Sequence, residues 1–218
     1  MNTTAPLFRC AWGETAFLHY EVDPAALRPS VPFEIDLFEG RAFVSVVAIT
    51  LRGFLAAPSF VNVRTYVRGG AITFLAGWLP NPLGALLGAR AIGIPYRLAR
   101  MRLDSSVAEV HARVSSGGRR FEFRAAIDPR QTYRRPEPGS LDEFLLERYT
   151  AFTQSGRKRL SFRVWHDPWR FVSIEPDILD DRLLRTTGSW PRGARLVAAQ
   201  HSPGFEEVGM GRLERVRA

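Results

Sequence analysis

Through most of the chain, hydrophobic and polar residues alternate with the period of two that indicates β-strands, and turn residues separate the alternating segments. Residues 42–51 (AFVSVVAITL) are rich in β-branched side chains, which is typical of a largely buried strand. Gly69-Gly70 lies between two such segments and predicts a tight hairpin. The predicted strands span residues 16–21, 42–51, 60–68, 71–79, 107–114, 121–127, 159–165, 171–175 and 196–201.

Short helices are predicted between some of these strands. Asp23 before Pro24 forms an N-cap followed by proline at the first helical position, so a helix is expected to run to about Arg28. Ser140 and Glu143 have the spacing of a capping box, and apolar residues at helical spacing begin directly after Ser140. The residues of this stripe are Leu141, Phe144, Leu145, Tyr149 and Phe152. Residues 83–91 and 176–185 are also predicted to be short helices.

Eight or more strands, mostly linked by hairpins, favour a mainly β (α+β) fold with two or three short helices. A closed antiparallel barrel or a strongly curved sheet suits this pattern better than a parallel α/β sheet. The 218 residues are 45% hydrophobic and 24% charged, which matches a globular protein, and no linker divides them. We therefore expect one domain, residues 1–218, with a core of about 12–208 and a loose polar tail after Val208.

Cysteine content and local hydrophobicity limit the cellular context. Cys10 is the only cysteine, so neither an intramolecular disulfide nor a cysteine-based metal cluster is expected. Residues 1–6 lack the pattern of a signal peptide, which predicts a cytoplasmic protein. Residues 71–89 carry no charge, but Pro80-Asn81-Pro82 at their centre argue against a membrane-spanning helix. No membrane association is predicted.

The net charge of +8 comes almost entirely from arginine, because Lys158 is the only lysine. The arginines are spread from Arg9 to Arg217 and form no single basic stripe, so no nucleic-acid partner is predicted. A polyanion binder remains the third alternative for the function. It would require arginines on one face and an affinity that falls steeply with salt.

Motifs for cofactors, metals and nucleophilic catalysis are missing. The sequence contains no Gly-x-Gly-x-x-Gly, no P-loop, no His-Glu-x-x-His and no Gly-x-Ser-x-Gly. The histidines lie far apart along the chain and show no ligand spacing; they are His19, His111, His166 and His201. We therefore predict neither a cofactor nor a metal site.

A series of short fragments, in this order, resembles the YqjF-like family, also called domain of unknown function 2071, over nearly the whole chain. The fragments are Trp12 and residues 17–20 (FLHY), 22–24 (VDP), 62–67 (NVRTYV), 93–96 (GIPY), 147–149 (ERY), 166–169 (HDPW) and 201–204 (HSPG). This family is similar to the acetoacetate decarboxylase superfamily. The resemblance implies a cone-shaped β-barrel around a small-molecule cavity, and it leaves a homo-oligomer open.

Residues 93–98 (GIPYRL) resemble the active-site stretch of the decarboxylase, but the lysine that forms its Schiff base is replaced. Tyr96 occupies the first lysine position and Arg97 the second, and a phenol cannot form an imine. Asn62 stands at one glutamate position of the family and, on a looser alignment, Ser45 at another. The resemblance therefore implies a lysine-less relative without Schiff-base chemistry.

Candidate ligand-binding residues follow from the strand pattern and from the resemblance. Asn62, Arg64 and Tyr66 alternate on one face of a predicted strand, and Arg64 could hold a ligand carboxylate if that face points inward. Tyr96, with Arg97 beside it to lower its pKa, is the best catalytic candidate, and His166 is a further candidate for the cavity wall. The leading hypothesis is a protein that binds, and could act as an enzyme on, a small anionic or carbonyl-bearing molecule. The alternative is a non-catalytic binding or sensing module.

Overall fold

Strands make up most of the structure, a computed structural model that describes residues 6–52 and 59–216. The strands are β1 (Phe8–Val22), β2 (Ala42–Arg52), β3 (Ser59–Val67), β4 (Ala71–Leu79), β5 (Tyr96–Leu98), β6 (Arg100–Ser105), β7 (Glu109–Ser116), β8 (Arg119–Ala126), β9 (Thr150–Ser155), β10 (Lys158–Trp165), β11 (Val172–Ser173), β12 (Glu175–Asp180), β13 (Arg195–Ser202), β14 (Phe205–Met210) and β15 (Glu214–Arg215). The helices are α1 (Pro24–Leu27), α2 (Pro82–Ile92) and α3 (Leu141–Leu146), and Arg28–Ser30 and Leu184–Thr186 form 3-10 turns.

Seven strands of the larger sheet close on themselves. The hydrogen-bonded order β1-β14-β10-β9-β4-β3-β2 returns to β1, which pairs with β2 as well as with β14. Strand β1 can do this because it is long and irregular: its pairing with β2 shifts register between Trp12 and Thr15. Most pairings are antiparallel as predicted, but β4 runs parallel to both β9 and β5. The mainly β fold is therefore confirmed, and the antiparallel description is incomplete.

A second sheet, in the order β12-β8-β7-β6, packs on the outside of this ring. The main hydrophobic core lies between the two sheets and includes Val44, Val46 and Val63 of the ring together with Phe121 and Phe123 of the smaller sheet. Strands β2 and β3 are consequently buried on both faces, one against this core and the other inside the ring.

Several local predictions are confirmed. The Asp23 side chain accepts a hydrogen bond from the backbone amide of Ala25 and caps α1. The hydroxyl of Ser140 accepts one from the amide of Glu143 and caps α3. Gly69 and Gly70 have positive φ angles in the β3–β4 hairpin, as a tight turn requires. No helix in the described part of the chain is long and apolar enough to cross a membrane.

The predicted helix over residues 176–185 is wrong. Its first half is strand β12, in which residues of intermediate exposure alternate with exposed ones, and only Leu184–Thr186 form a helical turn. Pro176 is tolerated because β12 lies at the edge of the smaller sheet, where a missing backbone donor breaks no interior ladder.

Two predicted boundaries also need correction. Helix α3 ends at Leu146, so Tyr149 and Phe152 do not continue its apolar stripe: Phe152 lies in β9 and Tyr149 just before it. The part of the tail after Val208 that the structure describes, residues 209–216, is not loose, because β14 continues to Met210 and β15 pairs with β10.

Glu122 on β8 is a buried carboxylate that contacts three basic side chains of β7 and β8. It lies 3.1 Å from Nε2 of His111, 2.6 Å from Nη2 of Arg113 and 3.3 Å from Nη1 of Arg120. We expect Glu122→Gln to lower the free energy of unfolding by about 1–2 kcal/mol, because half-exposed cations lose a buried partner. Urea denaturation at pH 7 measures this.

A matched control is Asp177→Asn, which removes an exposed ion pair with Arg124 on the same sheet and is expected to cost less than about 0.5 kcal/mol. The hydrogen bond from Arg113 lowers the pKa of Glu122 from 4.5 to about 2. A lowered folded-state pKa stabilises the protein above the unfolded value, and this contribution is lost as the pH falls through the folded value. The difference between wild type and Glu122→Gln should therefore shrink from pH 4.5 towards pH 2; a constant difference would contradict the assignment.

A candidate ligand-binding cavity

A cavity of about 140 Å³ lies inside the ring of strands. Its wall is mostly apolar, and aromatic side chains make up a large part of it: Trp12, Phe17, Phe60, Phe74, Phe162 and Trp169. Pockets for drug-sized ligands usually enclose about 300–1,000 Å³. The cavity therefore suits a smaller molecule.

The strand register determines which polar side chains enter this cavity. Across the ring, Val47 of β2 lies opposite Asn62 of β3, Asn62 opposite Gly77 of β4, and Gly77 opposite Tyr96 of β5. Neighbours in one such row share a face, since side chains alternate along each strand. Asn62, Arg64 and Tyr96 thus all line the cavity.

Arg64 is a buried cation in the cavity wall, with only 9% of its surface exposed. It forms an ion pair with no carboxylate in the described ranges. Its Nη2 donates a weak hydrogen bond to the carbonyl of Leu145 at 3.3 Å, its Nε is buried without a partner, and its guanidinium lies 5.7 Å from the ring centroid of Phe17. Burial lowers its pKa; the adjacent phenol of Tyr66 acts in the opposite direction through a hydrogen bond, and the neighbouring Arg148 lowers the pKa further. Its contacts within the described residues are therefore to a backbone carbonyl, a phenol and an aromatic ring, and none of them is a carboxylate.

Two further polar groups have unused hydrogen-bonding capacity. The Oδ1 atom of Asn62 is buried without a partner. The ring of Tyr96 packs edge-on against Phe60 and lies close to two glycines: a Cβ atom at Gly88 would stand 2.7 Å from the ring and one at Gly77 3.0 Å from it. Within the described residues the hydroxyl of Tyr96 makes no hydrogen bond, and burial raises its pKa to about 12. Tyr96 is thus a neutral, fixed phenol in the wall.

Tyr66 is placed differently from the other two residues of its strand face. It is fully buried but lies behind the cavity wall, where its hydroxyl donates to the carbonyl of Leu145 at 3.0 Å and lies 2.5 Å from Oγ of Ser45. Ser45 in turn lies 2.6 Å from Nδ1 of His19, whose pKa burial lowers to about 3. The predicted ligand contact of Tyr66 is therefore replaced by contacts within the protein.

Arg97 lies outside the cavity. It is exposed and its Nη1 donates to the carbonyl and the Oγ1 of Thr186. Successive residues of a strand point to opposite faces, so Tyr96 can face inward only if Arg97 faces outward. The expectation that Arg97 lowers the pKa of Tyr96 is wrong, since burial raises that pKa.

His166 lines both the cavity and an outer groove that Trp165, Pro203 and Phe205 also border. Its ring stacks on Phe205 at 4.5 Å between centroids, and its Nδ1 lies 2.6 Å from the carbonyl of Asp167. Burial lowers the pKa of His166 to about 4, so the ring is neutral at pH 7. His166 therefore stands between the groove and the cavity.

Arg148 and Tyr149 were not assigned to the cavity from the sequence, although both line it. Arg148 forms an ion pair with Asp36 at 3.0 Å and lies 4.1 Å from the ring centroid of Phe144. The hydroxyl of Tyr149 donates to Glu147, whose other oxygen accepts the backbone amide of Trp169. Residues 147–149 (ERY) are one of the fragments that resemble the family, and this resemblance is the sequence feature that could have indicated these positions.

The described residues provide neither a metal site nor a lysine at this cavity. The described residues contain no group of three or more His, Cys, Asp or Glu side chains that could hold a metal ion. Lys158, the only lysine of the chain, is exposed at the start of β10 and does not line the cavity.

Solved structures with a similar fold include acetoacetate decarboxylases and a related enzyme. The acetoacetate decarboxylase of Legionella pneumophila superposes with a TM-score of 0.67 at 14% identity, covering 100% of this chain and 90% of that one. An acetoacetate decarboxylase-like enzyme from Sphingomonas wittichii RW1 gives 0.60 at 15% identity, covering 96% and 92%. At these identities the likeness establishes the fold alone.

Sequence comparison identifies the family. The uncharacterized protein YqjF of Bacillus subtilis is 28% identical over 188 residues, which cover 79% of this chain and 78% of that protein. The model of the DUF2071 family, described as an uncharacterized conserved protein, matches residues 9–204. The resemblance found in the sequence is thereby confirmed, and the chain belongs to the DUF2071 family, with an acetoacetate decarboxylase-like fold.

Proposed function

We propose that the protein binds a small organic acid inside the ring of strands, with the carboxylate of the ligand on Arg64. The observation that carries this proposal is a buried guanidinium in the cavity wall that has no carboxylate partner in the described part of the chain and an unbonded Nε. A buried charge without a counter-ion is costly, and proteins rarely keep one without a use for it.

A carboxylate ligand would supply what Arg64 lacks. A guanidinium and a carboxylate can form two parallel charge-assisted hydrogen bonds, which are stronger and shorter than neutral ones. The apolar body of the ligand would occupy the remaining space, where aromatic side chains form the wall.

Asn62 and Tyr96 would contact a second oxygen of the ligand, since both line the same cavity and each carries a side-chain group that can donate a hydrogen bond. Imine chemistry is outside the proposal, because the only amine of a lysine side chain in this protein lies outside the cavity.

The test is a calorimetric titration of wild type and Arg64→Met with single-ring carboxylic acids. We expect saturable one-to-one binding to wild type and at least tenfold weaker binding to Arg64→Met, because truncating one member of a buried charge pair costs more than about 1.4 kcal/mol. Arg97→Gln, which removes an exposed arginine adjacent to Tyr96, is the matched control and should bind as wild type does. Equal affinity in wild type and Arg64→Met would contradict the proposal.

Tyr96→Phe tests the second contact. The hydroxyl is expected to contribute about 0.5–1.5 kcal/mol, a loss of roughly three- to tenfold in affinity, only for acids that carry an additional oxygen next to the carboxylate. Titration with phenylacetate and with its 2-hydroxy and 2-oxo derivatives separates the cases. An equal loss for all three acids would show that Tyr96 acts through packing and not through its hydroxyl.

A further inference from the structure

The cavity wall contains six ionisable side chains among the described residues: Cys10, Arg64, Tyr96, Arg148, Tyr149 and His166. None of them is an aspartate, glutamate or lysine. The charge that a ligand meets is therefore set by the two arginines and by the protonation state of the other four groups.

Those four groups are neutral at pH 7. Burial raises the pKa of the Cys10 thiol and of the Tyr96 and Tyr149 phenols, and it lowers the pKa of His166 to about 4. The hydroxyl of Tyr149 is also held as a donor by Glu147. At pH 7 these four side chains therefore add neither a negative nor a positive charge to those of the two arginines in the cavity wall.

The two arginines differ in their partners. Arg148 is paired with Asp36, its Nε donates to the carbonyl of Phe144 at 2.7 Å, and its guanidinium packs over an aromatic ring. Arg64 has no carboxylate partner in the described ranges: it donates a long hydrogen bond to the carbonyl of Leu145, contacts the neutral phenol of Tyr66, and keeps its Nε without a partner. One positive charge is therefore left for the ligand.

The rest of the wall would penalise a second ligand charge. Apart from the groups above, it offers the Asn62 amide and the Thr150 side chain, and otherwise apolar residues. An additional buried charge without a partner is strongly disfavoured in an apolar environment. The volume of about 140 Å³ matches a ligand of about one ring with its substituent.

We infer that the cavity selects monoanionic acids whose apolar part is about the size of one aromatic ring, over dianions, neutral isosteres and acids whose apolar part is only a methyl group. This inference rests on the proposed function and specifies the ligand class for the same site. It specifies how many negative charges the ligand carries and how large its apolar part is. The presence of a carboxylate-binding residue does not determine either property by itself.

The experiment is a titration of wild-type protein at pH 7 with four probes: benzoate, benzamide, isophthalate and acetate. We expect benzoate to bind at least tenfold more tightly than each of the other three. Isophthalate binding as tightly as benzoate, with loss in Arg64→Met, would overturn the inference and leave the proposed function standing. Equal binding of benzamide and benzoate, or the same affinities in Arg64→Met, would overturn both.

A second variant tests the charge count without touching Arg64. Asp36→Asn removes the partner of Arg148, whose other contacts remain, and so adds a second uncompensated charge to the wall. The ratio of isophthalate to benzoate affinity should then rise at least fivefold. Asp104→Asn, which removes the partner of the exposed Arg102 on the outer sheet, should leave the ratio unchanged. A ratio that does not respond to Asp36→Asn would overturn the assignment of one free charge.

Discussion

Replacing Gly204 with alanine is expected to lower the free energy of unfolding by about 3–5 kcal/mol, the combined cost of a strained positive φ and a backbone collision. Gly204 lies in the turn between β13 and β14 with φ of +81°. A Cβ atom there would stand 2.1 Å from the carbonyl oxygens of Trp12 and Gly13. Backbone atoms cannot rotate away as a side chain can, so the strands themselves would have to separate.

The position of this contact explains why the cost is large. Gly204 presses against β1 at the register shift where that strand bends to pair with both β2 and β14. Separation there would open the ring of strands at the side next to the cavity residue Trp12. The proposed binding of acids should therefore weaken together with stability.

Gly193→Ala is the matched control for this variant. Gly193 has almost the same backbone angle, φ of +76°, but nothing lies within 4 Å of a Cβ built there. Its substitution should cost only the conformational strain, about 1 kcal/mol. Thermal and urea denaturation of both variants separate the two contributions: Gly193→Ala gives the cost of the positive φ, and the additional cost in Gly204→Ala gives that of the backbone collision. If Gly204→Ala costs no more than Gly193→Ala, the close approach to β1 does not exist in solution.

Local sequence signals predict the parts of this fold that local interactions determine. The Gly69-Gly70 hairpin, the cap at Asp23 and the cap at Ser140 follow from turn and capping chemistry within a few residues. The parallel pairing of β4 with β9 joins Ala71 to Thr150, and no local pattern encodes it. The false helix over residues 176–185 arose because an edge strand tolerates a proline that an interior strand would not.

The candidate site was predictable only in part for a related reason. Alternation places Asn62 and Arg64 on one face, but both faces of β3 are buried, so burial alone cannot tell the cavity from the core between the sheets. Alternation does exclude a joint role of Tyr96 and Arg97 inside one cavity, because adjacent strand residues diverge. Arg148 enters the site from the end of α3, and only the closed ring brings that helix to β3.

The buried arginine carries a consequence for stability that separates a binding role from a structural one. Arg64→Met is expected to raise the free energy of unfolding of the ligand-free protein by about 1–2 kcal/mol, because an unpaired charge is replaced by an apolar side chain of similar length. The carbonyl of Leu145 keeps its hydrogen bond from Tyr66, so no acceptor is orphaned. The melting temperature should rise by roughly 2–4 °C for each kcal/mol in a protein of this size.

Arg148→Met provides the opposite case in the same cavity wall. Arg148 is paired, so its removal leaves Asp36 without its partner and is expected to lower the free energy of unfolding by about 1–2 kcal/mol. If the two substitutions change the free energy of unfolding in opposite directions, Arg64 destabilises the ligand-free protein while Arg148 stabilises it. This is the result expected of a residue that serves ligand binding and not folding. A loss of stability in both variants would instead make Arg64 a structural residue, and the binding proposal would lose its main support.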